Sequence, residues 1–397
     1  MANDILISGG GIGGLTAAIA LHALGHRVRV IERAPAMGWG QGVQISPPGM
    51  ATLATLGLDE AVRAAGQVMQ RSRKLTRDGL VLREREFGRV SGVEQPHVAI
   101  SRGTLQTVLG DAVRGLDIPI LLDHAVQSFD EGAEGIDVSV AAGESVETLS
   151  GDLLIGADGI HSAVRAQLFP EDRPVYTGYV QYRGVIPRDA VDVDIAPGEV
   201  TVHGDAANFY SYYLMNPAEI SFGACVHVGP AAEPTESWAS KGEPDQLLAE
   251  FEGFTGPLDR LAPGIPYLAR MHIFDHETLP YWGRERVTLL GDAAHAMLPF
   301  AGQATVTAIE DAATLSRCLG EGAGDIAAAL SAYQDVRIPH VGRIRDHCRD
   351  RGGIFEEYQV AERLAEPGWA SLDADQRQAR LDGIDWSRHD SFLRTMY

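Results

Sequence analysis

Three acids, each closing an apolar run, are the first residues in this chain whose placement suggests chemistry. Glu32 follows Val28-Arg29-Val30-Ile31, Asp158 follows Leu153-Leu154-Ile155-Gly156-Ala157, and Asp292 follows Val287-Thr288-Leu289-Leu290-Gly291. Ahead of Glu32 stand Gly9, Gly11 and Gly14 in G-x-G-x-x-G spacing, between the apolar run Ile5–Ser8 and an Ala/Leu/Ile segment of helical spacing that reaches Leu24. Such glycines give a tight turn, a close backbone approach to a pyrophosphate, and close helix–strand packing. The helix N-terminus beyond them favours negative charge. Gly accounts for 45 of 397 residues, so three glycines at these offsets arise by chance roughly half the time. The context carries the meaning: strand before, helix after, and Glu32 able to accept from a ribose hydroxyl. The reading is a bound adenine dinucleotide, against a glycine-rich turn that binds nothing. Asp158 is open to two readings, a ligand contact or a helix N-cap.

Other chemistries are disfavoured. Cys225, Cys318 and Cys348 are far apart and form no C-x-x-C, which argues against disulfide or zinc frameworks and for a reducing cytoplasm. His22 and His26 lie at i, i+4 on a helix but have no third ligand nearby, so no metal is expected. His203 and His227 alternate with apolar residues and read as structural. Neither G-x-S-x-G nor H-E-x-x-H occurs. The net charge of −21 argues against nucleic acid or an anionic membrane as partner. No apolar run reaches transmembrane length, and the first residues do not resemble a signal peptide.

The length suggests two or three domains. Gly25 suits a helix C-cap ahead of the second strand. The Gly/Pro-rich stretch 35–49 falls at the carboxyl edge of the sheet, where ligands bind. Met50–Ala65 reads as one helix, Lys74–Val90 as a hairpin turning at Asp78-Gly79, and Ala99 to Leu116 as a helix. Strands are expected near Ile120–Leu122, Ala125–Phe129 and Ile136–Ala141. The apolar run before Asp158 reads as a parallel strand buried on both faces. Between Tyr176 and Val228 four antiparallel strands are expected, and six of the eleven tyrosines lie between Tyr176 and Tyr213. A loop spans Gly229–Pro244, with a short helix at Gln246–Phe254. Helices follow from Ala304 to Leu319 and from Ile326, interrupted near Pro339, towards Glu362. The stretch Pro367–Tyr397, with Trp369 and Trp386, has no clear pattern.

In order and separation, the glycine fingerprint, Asp158-Gly159 and Gly291-Asp292 resemble the motifs of the single-component FAD-dependent aromatic hydroxylases, the para-hydroxybenzoate hydroxylase-like group. Salicylate and 6-hydroxynicotinate hydroxylases look nearest. Arg102, Tyr182-Arg183-Gly184 and Tyr333…Arg337-Ile338-Pro339 also match family positions. The resemblance spans about Asp4 to Arg351. It implies an α/β fold: a Rossmann-like FAD-binding domain of the GR2 type, an inserted antiparallel-sheet substrate domain, and C-terminal helices. The implied boundaries are 1–72, 97–176 and 285–350 for FAD, 73–96 and 177–284 for substrate, and 351–397 for a helical tail.

By the same resemblance, Gly9, Gly11, Gly13, Gly14, Glu32, Arg33 and Arg102 would bind FAD. The backbone near Val126 would border the adenine. Asp158 and Gly159 would belong to a motif shared by FAD and nicotinamide binding, and Asp292 would hold the ribityl chain. Gly302, Ala304 and Thr305 would open a helix whose N–H groups face the flavin pyrimidine. Pro299 would stiffen the loop beside the reactive flavin edge, Gln44 would face flavin and substrate, and Tyr213 would take a phenolic proton. Two residues depart from the family: Ala304 stands where Gly is usual, and Pro48 where Asn is common.

The implied activity is a monooxygenase with tightly, non-covalently bound FAD. NADH or NADPH reduces the flavin, O2 adds to give a C4a-hydroperoxide, and a small aromatic or N-heteroaromatic ring is hydroxylated. Rival readings are a flavin epoxidase or oxidase acting on a larger biosynthetic intermediate, and a flavin-binding protein without turnover. The expected partners are the aromatic substrate and O2, with no nucleic acid and no membrane. The expected state is a cytoplasmic monomer or homodimer.

Overall fold

A computed structural model describes residues 2–38, 40–87, 94–230, 234, 240–322, 324–350, 354–365 and 369–386. Strand β1 (Asp4–Ser8) leads through the glycine turn into helix α1 (Ile12–His22) and back to β2 (Arg27–Glu32). Every α1 residue from Ile12 to Leu21 is buried. A helix apolar on all sides must be covered on all sides, and α1 packs against two further helices of its own half of the molecule, α4 and α9 below. Gly25 takes φ +85°, as a left-handed C-cap requires.

Next come β3 (Gly42–Ile45), α2 (Pro47–Thr55), α3 (Asp59–Ala65), β4 (Gln67–Met69), β5 (Arg71–Thr76), β6 (Val81–Glu86), β7 (His97–Ser101) and α4 (Arg102–Gly115). The single helix expected over Met50–Ala65 is two, because Gly57 at φ +70° turns the chain between them. Pro47 and Pro48 fall in the first turn of α2, where proline costs no hydrogen bond. Ala99–Ser101 proves to be strand rather than helix: it pairs with both β3 and β4, and α4 begins only at Arg102. Gly79 makes the expected hairpin turn at φ +84°, while the expected hairpin's outer part, 88–90, lies outside the described residues.

A three-stranded meander, β8 aside, follows: β8 (Ile120–Leu122), then β9 (His124–Glu131), β10 (Ile136–Ala142) and β11 (Ser145–Gly151). The buried strand β12 (Leu153–Gly156) leads to α5 (Ala163–Leu168). Then β13 (Val175–Pro187), β14 (Glu199–Gly204), β15 (Phe209–Asn216) and β16 (Glu219–His227) form most of a large sheet, followed by α6 (Pro244–Glu250), α7 (Leu258–Leu261) and β17 (Ala269–Asp275). Most of the loop expected before α6, residues 231–233 and 235–239, is outside the described residues. The chain closes with β18 (Gly283–Arg284), β19 (Val287–Leu289), α8 (Asp292–His295), α9 (Ala304–Glu321), α10 (Ile326–Arg349), α11 (Glu356–Ala365) and α12 (Ala374–Asp382).

Two sheets organise the molecule. The first has order β18-β19-β12-β1-β2-β8, parallel except for β18. Its central strands β1, β12 and β19 carry the apolar runs seen in the sequence, and they end side by side at one edge. The second has order β17-β13-β16-β15-β14-β5-β6. It is not wholly antiparallel, since β14 runs parallel to β5. One face of this sheet, with Tyr182, Tyr210 and Tyr212, packs on Phe251 and Leu261; the other, with Tyr213 and Phe209, joins the main core. Three of the clustered tyrosines are thus packing residues.

Pro339 does not interrupt α10. Tyr333, Arg337, Val341, Ile344 and Arg345 are buried along its length, and this packing outweighs the lost backbone bond. Beyond α10, Tyr358, Ala361, Leu381, Trp369 and Trp386 cluster on Leu82 of β6. Residues 367–368 and 387–397 of the stretch without clear pattern are outside the described residues. No helix among the described residues is long and apolar enough to cross a membrane.

Candidate active site

The glycine turn divides into packing glycines and one open glycine. A β-carbon on Gly14 would stand 2.0 Å from the Gly9 carbonyl oxygen, and one on Gly9, which has φ +108°, 2.3 Å from the Ala157 carbonyl oxygen. On Gly13 it would meet Leu290 at 2.5 Å. On Gly11 it meets only the Arg102 guanidinium, at 4.0 Å. Gly11 is also the N-cap of α1 and offers no side-chain cap, so the first-turn N–H groups lack an acceptor there. An open concavity lined by bare N–H groups and a guanidinium suits a pyrophosphate.

Glu32 grips this turn: one carboxylate oxygen accepts from Gly10 N at 2.7 Å and the other from Ala34 N at 2.7 Å. Arg33 beside it is exposed. Gln106 of α4, which sequence reasoning did not single out, donates to the Gly10 carbonyl at 2.7 Å and accepts from Gly38 N at 3.1 Å. Its signal is faint, because a glutamine on a helix is ordinarily solvated. Val126 is buried in β9 opposite Val140, and Asp123 N donates to Ala34 O at 3.2 Å, tying this meander to the loop after β2.

The N-cap of α5 is Ser162, whose hydroxyl accepts from Arg165 N at 2.9 Å, and Asp158 braces the same turn. Its Oδ2 accepts from Ala163 N at 2.9 Å at the start of α5, while the buried Oδ1 has no partner. Burial pushes its carboxyl up, with Ser162 and backbone N–H groups opposing. Gly159 has φ +81° and open space where a side chain would be.

At the far end of the crevice, Gly291 (φ +63°) turns the chain into α8 and leaves Asp292 exposed. A buried ionic network props this turn. Asp311 of α9 accepts from Gly291 N at 3.1 Å and meets His295 Nε2 at 2.5 Å through Oδ2; its Oδ1 accepts from Arg337 Nε at 2.6 Å. Burial raises the Asp311 carboxyl, but His295 and Arg337 outweigh it and hold the group near 2. Arg165 of α5 donates to the Ala293 and Ala294 carbonyls at 2.9 and 2.8 Å and to Asp172 at 2.7 Å. Asp311, His295 and Arg165 escaped the sequence reading, although Arg337 and Tyr333 had stood out by resemblance. Tyr333 donates to Leu289 O at 3.2 Å.

Against the second sheet, enclosed by β3, β7 and the Pro299–Thr305 loop, lies a cavity of about 430 Å³. Tyr213, Gln44, Pro299, Gly302, Ala304 and Thr305 all line it. Gly302 adopts φ +64°, and α9 begins at Ala304 with no side-chain cap, so a second set of bare N–H groups borders the cavity. Ala304 also packs against the main core. The Tyr213 hydroxyl abuts Gly42, where a β-carbon would stand 2.7 Å from it. Arg183 fastens this region by donating to Gln41 Oε1 at 3.1 Å and to the Gly42 carbonyl.

The opposite wall is charged, with Lys74, Arg83 and Arg85 set against Glu86, Glu356 and Glu357, and only the structure reveals it. Lys74, Arg83 and Arg85 line the cavity from β5 and β6, and Lys74 and Arg83 share the Glu357 carboxylate of α11. Burial, then Arg83 and Arg85, bring the Lys74 ammonium down to about 7, against the pull of Glu356. His203 is structural, as expected: it stacks on Tyr210 at 4.9 Å, and burial then Arg73 bring it down to about 4. His26 accepts from Asn3 N at 3.1 Å, and no metal-binding cluster occurs among the described residues.

These features fit FAD laid along the crevice: an open glycine under a guanidinium at one end, an exposed Asp292 at the other, and an orphaned Asp158 oxygen between. Comparisons with known proteins agree. A protein family described as FAD binding domain matches residues 2–347. The aurachin C monooxygenase/isomerase of Stigmatella aurantiaca is 36% identical over 344 residues, 84% of this chain and 85% of that protein. The 6-hydroxynicotinate 3-monooxygenase of Pseudomonas fluorescens is 26% identical over 358 residues, 87% of this chain and 90% of that protein. The crystal structure of Klebsiella pneumoniae HpxO complexed with FAD and uric acid superposes with a TM-score of 0.80, at 26% identity, over 99% of this chain and 96% of that one.

Proposed function

This chain belongs to the FAD-binding domain family and is an FAD-dependent monooxygenase, and from that premise we propose that it uses NADH or NADPH and O2 to hydroxylate a small aromatic or N-heteroaromatic ring. The observation that carries the substrate reading is the 430 Å³ cavity, bounded by the Gly302–Thr305 turn on one side and the Tyr213 face of the sheet on the other. That volume suits one or two fused rings. The names of two relatives, one acting on 6-hydroxynicotinate and one holding uric acid, support a ring of this size.

Bound FAD supplies the redox chemistry, taking hydride from the nicotinamide and passing one atom of O2 to the ring. The residues position and shield it. Gly11, Arg102 and the start of α1 take the pyrophosphate, with Gly9, Gly13 and Gly14 holding the turn closed. Glu32, Arg33 and the backbone at Val126 bound the adenosine end. Asp158 and Gly159 line the middle, and Asp292 takes the ribityl hydroxyls. The bare N-terminus of α9 at Ala304 and Thr305 stabilises negative charge on the reduced ring by about 0.3–2 kcal/mol. Pro299 and the left-handed Gly302 fix the loop over the reactive edge. Tyr213 accepts the phenolic proton of the substrate, which makes the ring a better nucleophile.

In this reading 1–72, 97–176 and 285–350 serve the cofactor and 73–96 and 177–284 the substrate, while Ile354, Glu356 and Glu357 of the tail close the cavity on one side. Three free, buried cysteines support a reducing cytoplasm, with the chain acting as monomer or homodimer. The test is to purify the protein with its flavin and follow NADH and NADPH loss with phenols, aromatic acids and N-heterocycles, identifying products. Ring-stimulated nicotinamide oxidation with a hydroxylated product is the expected result. Oxidation that no ring stimulates overturns the substrate reading, and an epoxide product from a larger molecule replaces it with the tailoring alternative.

A further inference from the structure

One polar pair on the cavity wall has no part in the scheme above. Gln44 and His97 sit on the paired strands β3 and β7, where Gln44 faces Ala99 and His97 is two residues along on the same face. Diagonal neighbours of this kind touch when their side chains are long. Here His97 Nε2 lies 2.9 Å from Gln44 Oε1, and both residues line the cavity. Phe87 stacks on the imidazole with centroids 4.2 Å apart and planes at 29°, which fixes the ring plane.

We propose that His97 is a positioning residue that holds the Gln44 carboxamide with its NH2 group towards the cavity, so that the wall selects rings bringing a hydrogen-bond acceptor there, a ring nitrogen or an oxo oxygen. The inference rests on the cavity being the substrate site. A carbonyl oxygen only accepts, so the contact assigns the His97 hydrogen to Nε2. Burial, then the neighbouring Arg85, bring His97 down to about 4, so the ring is neutral at working pH and carries that single hydrogen. The Gln44 nitrogen makes no other hydrogen bond among the described residues. Its two hydrogens are therefore offered to whatever occupies the cavity. Without His97 the carboxamide rotates freely, presents donor or acceptor equally, and loses its preference.

Benzoate, nicotinate and isonicotinate are suitable probes: they are equal in size and charge above pH 7 and differ only in a ring nitrogen. Their binding to the FAD-loaded protein is read from flavin absorbance, with no turnover required. One of the two nitrogen rings is expected to bind about three- to tenfold more tightly than benzoate. His97→Phe keeps an aromatic ring on Phe87 and is expected to bring that ratio close to one. His97→Gln, which can still donate to Gln44, is expected to restore part of it. A ratio that survives in H97F, or no preference in the unaltered protein, overturns the proposal, as does failure of all three to bind. An independent readout is the ring-nitrogen NMR of labelled histidine in the FAD-loaded protein. A neutral Nε2–H ring, unchanged across neutral pH, is expected; hydrogen on Nδ1 overturns the assignment. Neither measurement depends on hydroxylation, so the two readings fail separately.

Discussion

Asp311 Oδ2 accepts the backbone N–H of Gly291 at 3.1 Å, so a side chain midway along α9 sets the turn that presents Asp292. The same carboxylate holds His295 and Arg337 inside the protein. The turn that carries Asp292 is therefore built on a buried charge cluster.

Replacing Asp311 by Asn should cost about 3 kcal/mol at pH 7, because it removes the fully buried one of the two carboxylates that neutralise Arg337 and leaves only Glu310, at 3.1 Å. The difference from the unaltered protein should shrink in acid. The native carboxyl titrates near 2 and the unfolded one near 4. Its contribution is thus complete above the unfolded value and is lost as pH falls through the folded one. Urea melts of both proteins at pH 7, 4 and 3 check the sign; a gap that widens on acidification would contradict it.

The two kinds of glycine in the fingerprint predict opposite phenotypes. Gly14→Ala puts a methyl 2.0 Å from the Gly9 carbonyl oxygen and should prevent a stable fold. Gly11→Ala meets nothing closer than Arg102 at 4.0 Å, so the apoprotein should melt normally yet bind FAD weakly. Circular dichroism melts paired with FAD titration separate the two effects.

Glu32→Gln retains one acceptor oxygen of the two that hold Gly10 and Ala34. Losing a charge-assisted bond of roughly 1.5–3 kcal/mol at the turn should weaken FAD binding at least about tenfold. Equilibrium dialysis of flavin provides the measure, and unchanged affinity would remove Glu32 from the grip.

Tyr213→Phe keeps the buried ring and deletes only the hydroxyl against Gly42. Flavin content should be normal and kcat on a phenolic substrate should drop about 100-fold or more, the usual worth of a positioned base. Full turnover would assign the proton to another group.

The parallel sheet was legible because β1, β12 and β19 are buried on both faces and so read as unbroken apolar runs, β1 running into the glycine turn and the other two towards a glycine and an acid. What escaped was whatever depends on distant segments meeting. Asp311 and Arg337 are 26 residues apart and look like surface charges on two helices until those helices pack. Lys74 and Glu357 are 283 apart. Local rules also misled where packing overrode them: Pro339 lies within an unbroken α10, and Ala99–Ser101 is claimed by two strand partners before α4 can begin. His97 carried no sequence mark, since its meaning comes from Gln44 across the strand pair.

Glu357 clasps Lys74 and Arg83, while Tyr358 donates to the carbonyl oxygen of Leu75 at 3.0 Å and Gln378 pairs with both backbone groups of Val81. One flank of the chamber is consequently made by residues that follow α10, Glu356 and Glu357 among them. A chain cut after α10 would keep the glycine turn and the Asp292 turn but would leave one side of its chamber open to water, so the crevice and the enclosure of the chamber are separable along the sequence.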